Sequence, residues 1–178
     1  GVFVLLTAYA EVDEIEARLA QTLPPELLLA QGPDRSLEAL RYAFFERTAE
    51  GRKPLLLGVG AAWTGLDISA DGLHALTGVS LSPAEDRVLT DLIMPIAPIG
   101  TNRSLTHAWR REKTGTAAEI GATSILFRQG IGRLVRRDGL PNNRRLHVLD
   151  SRIHEAAWAP FMRPLLRALE GYRRRLAV

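Results

Sequence analysis

Three short apolar runs, separated by segments of helical periodicity, constrain this chain more than anything else in it. Residues 2–6, 27–30 and 54–59 lack the polar alternation of a half-exposed strand, and the second and third run straight into Gln31-Gly32 and Gly60. Runs of that kind read as strands buried on both faces, the environment of a parallel sheet covered by helices. The segments between them supply those helices. From Glu11 to Thr22, Val12, Ile15, Leu19 and Leu23 recur at helical spacing among acidic residues, until Pro24-Pro25 ends the pattern. Ser36 can cap a second helix through Thr48, with Leu37, Leu40, Phe44 and Phe45 on its apolar face. Strand, helix, strand, helix, strand predicts βαβ units, hence an α/β fold with a parallel sheet and helices on both faces.

Further along, residues 73–79, just after Gly72, are expected to form a fourth strand and residues 146–149 a fifth. Between them, residues 83–125 read as a helical, irregular insertion broken at Pro95 and Pro98. The tail from His154 reads as helical and ends in Arg173-Arg174-Arg175. The 178 residues contain no repeat, low-complexity stretch or linker, so a single domain over residues 1–178 is expected. Such a length buries a core without metals or disulfides.

The chain has no cysteine, which removes disulfides, thiolate metal sites and a cysteine nucleophile. His74, His107, His147 and His154 show no ligand spacing, so no metal is expected on this chain. A reducing, cytoplasmic setting is the natural expectation. Residues 1–6 are too short for a membrane span and lack a charged leader, so no membrane association is expected. A start without methionine suits a fragment of a longer protein, although initiator removal or a tag remnant would look the same.

Net charge is only +3, but residues 1–100 carry −7 and residues 101–178 carry +10. So basic a half points to a polyanionic partner, nucleotide or nucleic acid, unless it is merely a solvated face.

Two segments carry candidate chemistry. Gly60-Ala61-Ala62-Trp63-Thr64-Gly65-Leu66-Asp67 follows a strand directly. Ligands of open parallel sheets bind beyond the carboxyl ends of strands, where such a loop lies. Its glycines permit close backbone approach, Asp67 can accept hydrogen bonds from a ribose or orient an arginine, and Trp63 offers a face to a base. A plain glycine-rich turn with a core tryptophan explains the same residues. The second segment is Gln129-Gly130-Ile131-Gly132-Arg133-Leu134-Val135-Arg136-Arg137. On a helix, Arg133 and Arg136 share a face and can converge on one polyphosphate, with Gly130 and Gly132 letting the helix start pack tightly. A solvated basic helix is the bland alternative.

In this order and on this sheet pattern, the two segments resemble motifs V and VI of superfamily 2 helicases. They are most similar to the DinG/XPD family, whose motif V reads W-E-G-x-D and motif VI Q-x-x-G-R-x-x-R. Val4-Leu5-Leu6-Thr7-Ala8-Tyr9, Leu29-Ala30-Gln31-Gly32 and Leu149-Asp150-Ser151-Arg152 resemble further parts of the second motor domain of that family. The resemblance spans about residues 1–160, and residues 115–137 look most like DinG-type helicases of type IV CRISPR systems. Thr64 stands where the family has its motif V glutamate, so that residue's role does not carry over.

The resemblance implies a RecA-like second motor domain. It makes Arg136 the catalytic arginine finger with Arg133 beside it. It places Gln129, Gly65 and Asp67 at the nucleotide, and Thr7, Gln31, Trp63 and Thr64 at single-stranded DNA. It implies ATP and Mg2+ as ligands, 5′-to-3′ translocation, and as partners a first RecA-like domain and, in the CRISPR setting, an effector complex. No G-x-x-x-x-G-K-[ST] loop and no D-E-x-H segment occur in this sequence, so the phosphate cradle and Mg2+ site belong to that first domain and the chain alone is expected to be inactive. The competing readings are a non-catalytic nucleic-acid-binding module and a nucleotide-binding regulatory domain.

Overall fold

A computed structural model describes residues 1–100, 104–135, 140 and 143–170 of the chain. Its centre is a five-stranded, wholly parallel sheet in the order β2-β3-β1-β4-β5, built from β1 (Val2–Leu5), β2 (Leu28–Ala30), β3 (Leu55–Gly58), β4 (Asp91–Met94) and β5 (Arg145–Val148). Helices α1 (Tyr9–Leu19) and α2 (Leu37–Ala49) connect β1 to β2 and β2 to β3. These connections cross the sheet in opposite directions, and right-handed crossovers then place α1 and α2 on opposite faces. The packing agrees. Val4, Leu6, Leu28, Ala30, Leu57 and Val59 form one face with Val12, Ile15 and Leu19 of α1. On the other face, Gly58 is against Phe3 and Ala62, and Gly72 is against Phe45 of α2.

The alternating βα pattern over the first 60 residues is thus an α/β RecA-like fold, with each expected element present to within a few residues. Ser36 does cap α2, accepting from the Ala39 amide at 3.1 Å.

The fourth strand is a correction. Residues 73–79 do not form a strand; they lie largely in helix α4 (Ala70–Thr77). Ser69 caps its start by accepting from the Gly72 amide at 3.1 Å, and Gly78 ends it at φ +74, a left-handed value that glycine adopts readily. The fourth strand is Asp91–Met94, inside the stretch read as helical, and it pairs with both β1 and β5.

At the amino end of β4, the Asp91 carboxylate accepts from the Thr90 hydroxyl at 2.7 Å, with His147 Nε2 at 3.3 Å and Lys53 Nζ at 3.5 Å. Burial pushes this carboxyl up, but the Thr90 and His147 hydrogen bonds and Lys53 outweigh it and hold Asp91 below its ordinary value.

The chain divides into two compact units. The first comprises Gly1–Ala97 and Gln129–Leu149 and contains the sheet. The second comprises Pro98–Arg128 and Asp150–Val178. It holds α5 (Leu105–Thr114), the portion of α6 (Thr116–Leu134) up to Arg128, and α7 (Ala159–Arg167). Inside it, Arg111 pairs with Glu119 at 3.3 Å, while His107, Thr123, Phe127, Met162 and Leu165 are buried. Asp150 is buried and grips Arg152 through Nε at 2.9 Å and Nη2 at 2.6 Å. Among the described residues, no helix is long and apolar enough to cross a membrane.

Candidate nucleotide edge of the sheet

Neighbouring strands β1 and β3 send their following segments to opposite faces, one into α1 and the other into α3 (Ala61–Thr64). Such a divergence at the carboxyl edge is the usual ligand position in sheets of this kind.

Sequence dictates how each side chain reaches this edge. Past β1, the Thr7 amide and hydroxyl both donate to the Glu11 carboxylate, at 2.7 and 2.9 Å. Gln31 ends β2, buried, and bridges its neighbours: its Oε1 accepts from the Val59 amide at 2.8 Å and its Nε2 donates to the Tyr9 hydroxyl at 3.1 Å. Gly60 follows β3 at φ +54, ψ −110, a conformation that bars most other residues and turns the chain into α3. Trp63 then points inward, 4% exposed, donating from Nε1 to the Leu6 carbonyl at 2.8 Å. A ring so placed offers no open face to a base, which is the core-tryptophan alternative weighed for this loop. Thr64 and Gly65 are exposed and Asp67 is half-buried.

Arg133 ties the two motif segments together. Its guanidinium, 6% exposed, donates through Nη1 to the Leu66 carbonyl and through Nη2 to the Trp63 carbonyl at 3.3 Å. It reaches them because α6 approaches the sheet closely at Gly130, where a Cβ would meet Met94, Leu5 and Trp63 at 2.6–3.3 Å. The expected geometry needs correcting here. This segment is the end of α6, not its start, and Gly132 has nothing within 4 Å of its Cβ position. The described helix ends at Leu134. Arg136 itself lies outside the described residues, as does Arg137. Gln129 is exposed near the same helix end.

A cavity of about 380 Å³ lies beside Arg133, lined by Asp67, Ser69, Asp71, Asp86, Arg133 and Arg144 with Ile68, Leu134 and Leu140; Asp86 and Arg144 reach it from segments that precede β4 and β5, at the amino ends of those strands. Sequence reasoning missed Arg144. It pairs with Asp86 at 3.1 Å, both nearly inaccessible, and donates to the carbonyls of Leu89 and, at 3.1 Å, Leu134. A cation at the last carbonyl of α6 complements the helix dipole. Within Asn142-Asn143-Arg144-Arg145, nothing local separates the buried arginine from its exposed neighbour. The Arg133 and Arg144 guanidinium groups are both nearly inaccessible and engaged by main-chain carbonyls, Arg144 by Asp86 as well, so they fix the end of α6 beside the half-buried Asp67. Among the described residues, no three His, Cys, Asp or Glu converge as metal ligands.

Parallel order, a glycine turn after β3 and an arginine of α6 tied to the segment beyond that turn are the features of a RecA-like α/β domain. Residues 1–168 match the family model described as "Helicase C-terminal domain". The chain belongs to that family. A comparison with curated proteins gives no match.

Proposed function

We propose that this chain is the second motor domain of an ATP-dependent DNA helicase of the DinG/XPD type, completing a nucleotide site that a first RecA-like domain begins. The observation that carries the reading is the Arg133 tie, which joins the motif V loop to the end of α6 through the Leu66 and Trp63 carbonyls. In this arrangement Arg133 acts as a strut, holding the motif VI segment against the sheet edge. Arg136, three residues on, is the arginine finger directed at the γ-phosphate, where a guanidinium stabilises charge developing during phosphoryl transfer. Asp67 and Gly65 take the nucleotide from the motif V side and Gln129 from the helix end. Mg2+ and the β- and γ-phosphates belong to the first domain, since this sequence has no phosphate loop.

Thr7 and Thr64 remain the edge residues proposed to meet single-stranded DNA; Gln31 supports them from inside through Val59 and Tyr9. Polarity (5′ to 3′) and a place beside a type IV CRISPR effector rest on sequence resemblance alone. A steady-state ATPase assay with single-stranded DNA tests the half-motor reading. The isolated chain should show no turnover, and turnover should arise when it is joined to a domain bearing a phosphate loop. Hydrolysis by the rigorously purified chain alone would overturn the proposal.

A further inference from the structure

The three tryptophans occupy three different environments. Trp63 is in the core, and Trp158 is half-buried beneath the Arg152 guanidinium, 4.7 Å from its ring centroid. Trp109 is 60% exposed on α5, a helix that Ser104 caps by accepting from the His107 amide.

The exposure has a geometric cause. His107, buried, faces inward, with Arg111 one turn along held by Glu119. Two residues on a helix are a rotation of about 200°, so Trp109 stands on the opposite side from His107. Leu105, 90% exposed, and Lys113 lie one turn before and after it, on the same stripe. Arg110 flanks the stripe. Among the described residues, neither Arg110 nor Lys113 has an ion-pair partner, unlike Arg111. The surrounding unit is basic, with eleven Lys/Arg against five Asp/Glu, while the sheet-bearing unit has twelve against fifteen. An open indole with the unengaged Arg110 and Lys113 to one side of it, on a positively charged body, combines the two features that bind single strands without reading their sequence: a stacking surface and phosphate attraction.

We propose that the outward face of α5 is a stacking platform for single-stranded nucleic acid, taking bases on Trp109 and phosphates on Arg110 and Lys113. The choice of DNA as occupant rests on the helicase reading above. The stacking role expected of Trp63 thereby passes to a residue in the other unit.

The test uses the full chain and oligothymidylate at low salt, read by tryptophan fluorescence and by anisotropy. DNA should quench the chain's emission and shield it from acrylamide, a measurement that needs no variant. Trp109→Ala should weaken binding about tenfold and abolish the quenching, with its thermal midpoint unmoved, and Trp109→Phe should retain most of the affinity. Arg110→Gln and Lys113→Gln should each flatten the salt dependence by about 0.7 in log–log slope. Wild-type affinity in Trp109→Ala would overturn the platform and leave the motor reading intact. Displacement of DNA by polyglutamate at equal charge concentration would also overturn it, marking the face as a dock for acidic protein. Absence of any single-strand binding by the unmodified chain would overturn both the platform and the DNA-contacting part of the motor reading.

Discussion

The guanidinium of Arg133 hydrogen-bonds the main-chain carbonyl of Leu66, 67 residues earlier in the sequence. Its second amino group takes the Trp63 carbonyl, so an arginine that sequence reasoning aimed at a nucleotide also holds the protein together. Replacing it by alanine leaves two carbonyls without their charged donor in a buried setting. Arg133→Ala should cost about 2–4 kcal/mol, and Arg133→Lys less, since an ammonium can satisfy one carbonyl but not both. Urea unfolding of the isolated chain measures this, and a loss under 0.5 kcal/mol for Arg133→Ala would mean the strut is decorative.

Gly130 and Gly132, two residues apart and so on opposite sides of α6, give a matched pair. An added Cβ at Gly130 meets the terminal methyl of the fully buried Met94 at 2.6 Å, Leu5 at 3.1 Å and Trp63 at 3.3 Å, so several core side chains would have to shift at once. Gly130→Ala should therefore destabilise by about 1–2 kcal/mol through overpacking. At Gly132, also in α6, nothing lies within 4 Å, so Gly132→Ala should stabilise by about 0.5–1 kcal/mol through helix propensity. Chemical denaturation of both variants decides it, and equal signs would show that α6 does not approach the sheet as described.

What could be seen in advance divides along the reach of each interaction. β1, β2, β3 and α2 were legible because their signals are local: an apolar run, a Ser36 cap, a glycine exit. The helix at 70–77 is hard to tell from a strand because it spans barely two turns and its identity sits in the flanks, at Ser69 and Gly78. The true fourth strand is only Asp91-Leu92-Ile93-Met94, and it exists because β1 and β5 lie on either side to pair with it. No local pattern carries that information. At the candidate site, the two motif segments were legible as a pair, and their joining by an arginine at position 133 was not. Trp63 looked like an open ring because periodicity cannot tell which side of a four-residue helix meets the Leu6 carbonyl. Arg144 was invisible among neighbouring basic residues, since only the three-dimensional fold brings it to Asp86.

Acid should reach the sheet through Asp91. Its carboxyl is held below its ordinary value in the folded chain by Thr90, His147 and Lys53, against the opposing effect of burial. A depressed folded-state value means a stabilising contribution that is complete above the unfolded-state value, near 4, and disappears as pH falls through the lower folded value. Stability should thus decline below about pH 4, and Asp91→Asn should show a shallower decline over that window. Thermal midpoints measured from pH 6 downward, at fixed ionic strength, check both, and parallel curves for the two proteins would assign the acid response elsewhere.

The role proposed for Arg136 makes the sharpest demand, in the chain joined to its first motor domain. An arginine finger stabilises charge that develops on the γ-phosphate in the transition state and contributes less to ground-state binding. Arg136→Ala should then lower turnover on the order of 10³-fold or more, with ATP and DNA affinities falling far less. Arg136→Lys should rescue poorly, because a point charge does not reproduce a planar fork. A residue serving only as a DNA phosphate clamp predicts the opposite pattern: weaker DNA binding, a smaller salt slope, and near-normal turnover once DNA is saturating. Arg133→Ala provides the internal contrast. Its defect should track stability, so turnover measured well below its unfolding midpoint should recover more than that of Arg136→Ala, whose fold is expected to be intact. Turnover at saturating ATP and DNA, set beside both affinities and the unfolding midpoint, separates strut from finger. Normal turnover in Arg136→Ala would remove that residue from the chemistry and leave the second motor domain without its proposed catalytic contribution.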